Sequence, residues 1–168
     1  RRDRRVVLMT DFLKNCGHTY EEHVDVTDND LRNRVMAGTY DLGRYMDDHK
    51  KICSRFLSEE LAEKTIKRIL KIRESQIKEW MQLGYAKEIE VVAFFTSQVG
   101  IGFAEGTGVY KNSYPMYGVR VVLQADIHFR SYSIVTAYPV PNKATIAKIA
   151  EDKRARYAER RAKFAGKR

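Results

Sequence analysis

The spacing of the apolar residues changes once along the chain, and this change limits the folds that it can adopt. Ser58 followed by two glutamates predicts a helix start, and Gly84 predicts its end. Between them the apolar residues follow a helical spacing: Ile66, Ile69, Leu70, Ile77, Trp80 and Met81. Beyond this helix, 89–96, 117–125 and 131–140 are rich in β-branched and aromatic residues and predict strands. Helices first and strands afterwards indicate an α+β domain, with N-terminal helices packed on a C-terminal antiparallel sheet.

The remaining segments give weaker predictions. Thr27 and Asp30 have the spacing of a capping box, which predicts a helix over 28–37 that ends at Gly38. We expect 39–56 to be irregular or weakly helical. Four glycines within 99–110 predict a bent strand or a loop with tight turns.

The positive charge is concentrated at the two ends of the chain. The net charge is +9, of which 1–5 carry +3 and 142–168 carry +7, while 6–141 carry −1. After Pro141 the composition shifts to Ala, Lys, Arg and Glu, which predicts a basic helix. This helix is either solvated, in contact with RNA, docked on an acidic inhibitor or held in a larger particle. The residues expected to contact RNA are Lys153, Arg154, Arg156, Arg160 and Arg161.

Several classes of site are excluded by the residues present. No CxxC or HExxH motif occurs, no GKS or GKT follows the glycines at 102–108, and we expect neither a metal nor a cofactor. Cys16 and Cys53 are far apart, which favours two free thiols and leaves one disulfide open. No apolar run approaches the roughly 20 residues of a membrane-spanning helix.

Two stretches carry side chains suited to phosphodiester chemistry. The first, 16–34, contains His18, His23 and Arg34, and the second places Thr136 and Tyr138 on one face of the last strand. A histidine takes a proton from a ribose 2′-hydroxyl, and an arginine holds phosphate oxygens as charge develops. Each of these residues also has a purely structural explanation. A histidine before a helix is often a capping or packing residue, Arg34 is then a solvated cation, and Thr136 and Tyr138 are residues that favour strands.

The ordered motifs resemble the bacterial RNase A-like toxin domains found at the C-termini of contact-dependent inhibition and other polymorphic toxin proteins. That family opens with G-H-T-x-x-x-H-V, continues with an Arg on a helix and a middle helical segment S-x-F…W-[LM], and closes with T-A-Y-P. The matching positions cover about 16–140 and are Gly17, His18, Thr19, His23, Val24, Arg34, Ser54, Phe56, Trp80, Met81, Thr136, Ala137, Tyr138 and Pro139.

The resemblance implies an RNase A-like fold over 16–141. Outside it lie a basic lead-in at 1–15 and the basic helical tail at 142–168, which extends beyond T-A-Y-P, where domains of the family tend to end. It implies metal-independent RNA cleavage to a 2′,3′-cyclic phosphate by His23, Arg34, Thr136 and Tyr138, with His18 and Thr19 in support. An acidic immunity protein is the implied partner, and we make no prediction of oligomeric state. The domain is expected to be delivered as the C-terminal part of a larger protein and to act in the target-cell cytoplasm.

The sequence departs from the family pattern at two acids and leaves a second function open. Glu22 and Asp25 flank His23 and Val24 where the family often has Lys and Gly, which predicts a raised His23 pKa or weaker RNA binding. The alternative function is a non-catalytic RNA-binding or assembly component of a larger particle that uses its basic termini.

Overall fold

The computed structural model describes residues 12–38 and 52–166. Its helices are α1 (Thr19–His23), α2 (Asp28–Ala37), α3 (Glu59–Ile72), α4 (Glu74–Leu83) and α5 (Lys143–Ala165). Its strands are β1 (Ile52–Phe56), β2 (Glu88–Phe94), β3 (Gly100–Ala104), β4 (Tyr114–Met116), β5 (Gly118–Ala125) and β6 (Tyr132–Val140). They form two antiparallel sheets of three strands, ordered β1–β3–β4 and β2–β5–β6. The α+β class is confirmed, and the sheet structure is divided in two.

The predicted helix over 58–84 is two helices that meet at Arg73. Its start is as predicted, because the Ser58 side chain accepts a hydrogen bond from Leu61 N, and its end is at Gly84 in the left-handed conformation. The break was not predicted, since no glycine or proline marks it. The Arg73 Nε donates to the carbonyl of Val92 on β2 at 3.0 Å, so a tertiary contact accompanies the change in direction.

The expectation of an irregular or weakly helical 39–56 is wrong for 52–56, which form β1, and the S-x-F motif lies on this strand. The earlier part of that segment, 39–51, lies outside the described residues. Four of the five β1 residues are buried, so both faces of the strand are covered. A strand covered on both faces has no alternation of polar and apolar residues, and the pattern that identifies a strand is missing.

The helices cover one face of each sheet. Trp80 and Ile66 on α4 and α3 are completely buried against Val121 and Leu123 of the β2–β5–β6 sheet. Burying each such side chain contributes about 1.5–3 kcal/mol. On the other sheet, α2 packs through a smaller cluster: Leu31, Val35, Cys53, Phe103 and Val109. The predicted capping box of α2 is present between Thr27 and Asp30.

The basic tail is helical, and its first half is packed on the β1–β3–β4 sheet. Asn142 caps α5, Ile149 is buried against this sheet, and the Thr145 hydroxyl donates to the carbonyl of Pro115 at 3.0 Å. Tyr114 donates to Asp152 at 2.7 Å, and this hydrogen bond lowers the Asp152 pKa. From Arg154 to Ala165 the side chains are exposed apart from Arg156. The domain boundaries at 15/16 and 141/142 stay a prediction.

Two further expectations concern the thiols and the membrane. Cys16 and Cys53 are both buried and are not joined in a disulfide, and burial raises the pKa of Cys16 to about 11. This rules out a thiolate nucleophile at Cys16 near neutral pH. Over 12–38 and 52–166, no helix has the length and apolarity needed to span a bilayer.

Candidate active site

The Gly-His-Thr motif binds the N-terminal segment to the last strand. Gly17 has φ +60°, and a β-carbon there would overlap the carbonyl of Val135 on β6. The His18 backbone N–H donates to that carbonyl at 3.0 Å, and the hydroxyl of buried Thr19 accepts from the Ala137 N–H at 2.8 Å. The motif is therefore a docking element that fixes the start of α1 against β6.

A bulge in β6 makes this docking possible. Val122 pairs with Thr136, but Leu123 pairs with Ile134, so Val135 is the extra residue of β6. A bulged residue is left out of the ladder, and its carbonyl is available to another segment. Here that segment is the backbone at 17–18.

His23 is the last residue of α1 and is 2% exposed. Its Nδ1 lies 2.9 Å from the Ser54 carbonyl of β1. Since a carbonyl only accepts, Nδ1 carries the proton, and in the neutral ring Nε2 is the nitrogen that accepts one. The Glu22 Oε2 lies 3.8 Å from Nε2, so one of the two acids that depart from the family pattern is beside the imidazole.

Tyr138 lies beside His23, and Thr136 is two residues earlier on the same face of β6. The Tyr138 and His23 ring centroids are 5.2 Å apart, with 32° between the ring planes. Ser54 connects these elements, because its carbonyl bonds His23 while its hydroxyl donates to the Pro139 carbonyl at 2.7 Å. The buried Thr136 Oγ1 has no hydrogen-bond partner within the described residues.

Arg34 lies on α2 and reaches back to the end of α1. Its Nη1 donates to the Glu22 carbonyl at 2.7 Å, which brings a half-buried guanidinium to the residue before His23. The remaining N–H groups of the guanidinium suit a phosphate. The structure thus brings together His23, Arg34, Thr136 and Tyr138, while His18 is exposed and takes part through its backbone.

Sequence reasoning missed a buried cation on the same face of the sheet. Arg120 of β5 pairs with Tyr138, is 7% exposed, and has its Nε 3.7 Å from Glu90 Oε2 of β2. Its Nε and Nη1 are buried and make no hydrogen bond within the described part of the chain. An arginine inside the apolar run GVRVV was the available signal. For Ser54 no such signal existed, because its contact with His23 uses the backbone carbonyl.

The predicted RNA-contacting residues of α5 lie on different faces of the helix. Arg154, Arg160 and Arg161 are exposed, whereas Lys153 and Arg156 are half-buried. Arg156 lies over Gly108, where a β-carbon would come within 2.9 Å of its Nη1.

A family model described as the bacterial CdiA-CT RNAse A domain matches residues 17–139. Among solved structures, the chain is similar to one from a CdiA-CT/CdiI complex of Y. kristensenii 33638, with 22% identity and a TM-score of 0.60. That similarity covers 74% of this chain and 100% of the other, and at this identity it supports the fold alone. No curated protein matches the chain. Since the family model spans most of the chain, including His23, Arg34, Thr136 and Tyr138, the chain belongs to the bacterial CdiA-CT RNase A family and carries a toxin ribonuclease domain.

Proposed function

We propose that this domain is a metal-independent endoribonuclease that cleaves RNA by attack of a ribose 2′-hydroxyl on the adjacent phosphorus. The observation that carries the proposal is the arrangement at His23. Its Nδ1 is fixed by the Ser54 carbonyl, its ring is beside Tyr138, and the Arg34 guanidinium is held at the preceding residue. A base, a phenol and a cation around one point are the groups that this reaction needs.

His23 is the proposed general base. Its Nε2 takes the 2′-hydroxyl proton while the 2′-oxygen forms a bond to phosphorus, and the bond from phosphorus to the 5′-oxygen of the next nucleotide breaks. The leaving oxygen takes up a proton, so the products are a 2′,3′-cyclic phosphate and a 5′-hydroxyl. The Ser54 carbonyl favours this role because it keeps Nδ1 protonated throughout.

Arg34, Thr136 and Tyr138 are the proposed phosphate-binding groups. Arg34 stabilises the charge that develops on the non-bridging oxygens, and the Thr136 hydroxyl donates to one of them. Tyr138 either orients the phosphate, protonates the leaving oxygen or stacks on a base. His18 and Thr19 support the site by fixing α1 on β6.

We also propose an acidic immunity protein as partner and delivery as the C-terminal part of a larger protein, with action in the target-cell cytoplasm. The similar domain of Y. kristensenii was solved in a complex with CdiI. The +7 charge of 142–168 supports an acidic partner, because opposite charge accelerates association.

The test is incubation of the purified protein with total RNA in EDTA, beside two variants. His23→Ala removes the whole ring, whereas His23→Asn keeps a side-chain N–H for the Ser54 carbonyl and lacks Nε2. We expect cyclic phosphate ends from the wild type and intact RNA from both variants. Intact RNA with folded, inhibitor-free wild type, or cleavage by His23→Asn, would overturn the proposal.

The exposed basic half of α5 favours a second candidate, a non-catalytic RNA-binding or assembly component. Truncation after Asp152 tests it, because Thr145 and Ile149, which dock the helix, remain. If this second function is correct, the truncation removes function and His23→Asn leaves it intact.

A further inference from the structure

A second concave site lies where α5 crosses the β3–β4 connection and the end of α2. This α5 groove has a volume of about 560 Å³, and its lining includes Gly38, Glu105, Tyr110, Lys111, Arg156 and Arg160. Three of these side chains are cationic and one is acidic. The volume is within the range of small-molecule sites, roughly 300–1,000 Å³.

The docked half of α5 fixes the cations of this groove. Asp152, Arg156 and Arg160 follow one another at intervals of four residues and share a helix face with buried Ile149. Asp152 and Ile149 hold that helix face against the β1–β3–β4 sheet. The next turns of the same face therefore lie over the β3–β4 connection. Because Gly108 has no side chain, the Arg156 guanidinium packs directly against the backbone at that position.

Helix α2 reaches both the groove and the proposed catalytic site, since Arg34 of that site directly precedes Val35, which lines the groove. Arg32 lies two residues before Arg34 on α2, and its Nε donates to the Val109 carbonyl at 3.2 Å. The Arg32 Cζ lies 4.8 Å from the centroid of the Phe103 ring and 6.0 Å from that of Tyr110. Tyr110 lines the groove and is 64% exposed, so its ring is open to a further stacking partner.

We propose that the α5 groove binds single-stranded RNA next to the phosphodiester that is cleaved, with Arg156, Arg160 and Lys111 on phosphates and a base on Tyr110. A cationic groove with an exposed aromatic ring is the chemistry of sequence-tolerant single-strand binding. The inference rests on the proposed function only for the position of the cleaved bond.

The binding test uses a fluorescent 2′-O-methyl 12-mer, which has no free 2′-hydroxyl and is not cleaved. R156Q/R160Q removes two charges from the groove, whereas R154Q/R161Q removes two from another side of the same helix, roughly 100–160° away around the helix axis. We expect R156Q/R160Q to lose at least about tenfold in affinity at 0.1 M salt. The slope of log K against log salt should fall by about 1.4, or 0.7 for each lost phosphate contact.

Arg154 and Arg161 are also expected from the sequence to contact RNA, but R154Q/R161Q should lose much less affinity than R156Q/R160Q, which separates a defined groove from diffuse charge. Tyr110→Ala should weaken binding about fivefold or more, and Tyr110→Phe should not. Equal losses in the two arginine pairs would overturn the proposal. The proposal would also be overturned by an R156Q/R160Q variant that binds RNA as the wild type does but binds an acidic partner more weakly.

Cleavage provides a second readout. A dinucleotide is too short to reach the groove, so R156Q/R160Q should leave its kcat/KM unchanged while lowering that of a 12-mer about tenfold. Equal loss on both substrates would contradict a groove beside the cleaved bond. If the wild type cleaves neither substrate, the proposed function fails, while the 2′-O-methyl measurement still decides whether the groove binds RNA.

Discussion

The His23 site and the exposed half of α5 differ in how each would interact with a polyanion: one through fixed geometry, the other through exposed charge. His23 and Tyr138 are buried, and backbone groups of β1 and β6 fix the site. The basic half of α5 presents exposed arginines whose effect is mainly electrostatic. Burial and fixed hydrogen bonds supply geometry that salt hardly affects, whereas exposed charge supplies attraction that salt screens. Chemistry and capture of the substrate are therefore separable in this domain.

The largest expected effect is at His23. His23→Ala and His23→Asn should each lower cleavage about 10²–10⁴-fold, because both remove the proton acceptor Nε2. The alanine should also lower the free energy of unfolding by about 1–3 kcal/mol, since the Ser54 carbonyl loses its donor in a buried place. Denaturant titration and cleavage rates measure the two effects. Equal destabilisation by both variants would contradict the specific role given to Nδ1.

The second prediction concerns the ion pair between Arg120, which is paired with Tyr138 across the sheet, and Glu90. Arg120→Met should cost about 3–5 kcal/mol, because it leaves Glu90 charged in a largely buried place. Arg120→Met combined with Glu90→Met should recover most of that loss, measured by denaturant unfolding. The double variant then shows whether the cation beside Tyr138 also matters for cleavage. Little loss from Arg120→Met alone would mean that the pair is better solvated than its burial indicates.

The third prediction uses two glycines with similar backbone angles. Gly17 and Gly84 have φ of +60° and +59°, but a β-carbon overlaps the Val135 carbonyl only at Gly17. At Gly84 the nearest atoms are those of the Phe129 ring, 3.9 Å away. Gly84→Ala should therefore cost about 1–2 kcal/mol, the price of the left-handed conformation alone.

Gly17→Ala should cost about 2–4 kcal/mol in the same denaturant measurement, because the docking on β6 must also open. Cleavage should fall with it, while Gly84→Ala keeps the wild-type rate. Equal costs at the two positions would show that the docking is not needed for stability.

The smallest expected effect is at the docked end of α5. The Tyr114 hydroxyl, followed by the Lys148 ammonium, lowers the Asp152 pKa below its ordinary 3.8. A lowered carboxyl pKa stabilises the fold above pH 3.8, and this contribution is lost as the pH falls through the native pKa. Asp152→Asn should cost about 1 kcal/mol at neutral pH and less in acid, measured by denaturant unfolding at several pH values. A cost that does not change with pH would contradict the ionic contribution.

Elements with a local signal were predictable. The capping box of α2, the Ser58 start of α3 and the strands β2, β5 and β6 follow from side chains within each segment. β1 was not predictable, because both of its faces are covered, and the break at Arg73 depends on a carbonyl of another strand. Within the site, the His23 side chain could be singled out, but the Ser54 carbonyl that fixes its proton could not.

The bulge at Val135 has a consequence for when this domain becomes active. The hydrogen bond from Ala137 N to Thr19 joins residues 118 positions apart, and the proposed site is divided between the same two segments. A contact between residues so far apart in sequence forms slowly, because the loop between them must first close. A molecule in which β6 has not yet reached its place has no docking surface for Gly17 and no Thr136 or Tyr138 beside His23. Under the proposed function, a chain in which β6 is missing or not yet docked lacks half of the catalytic group and cleaves no RNA.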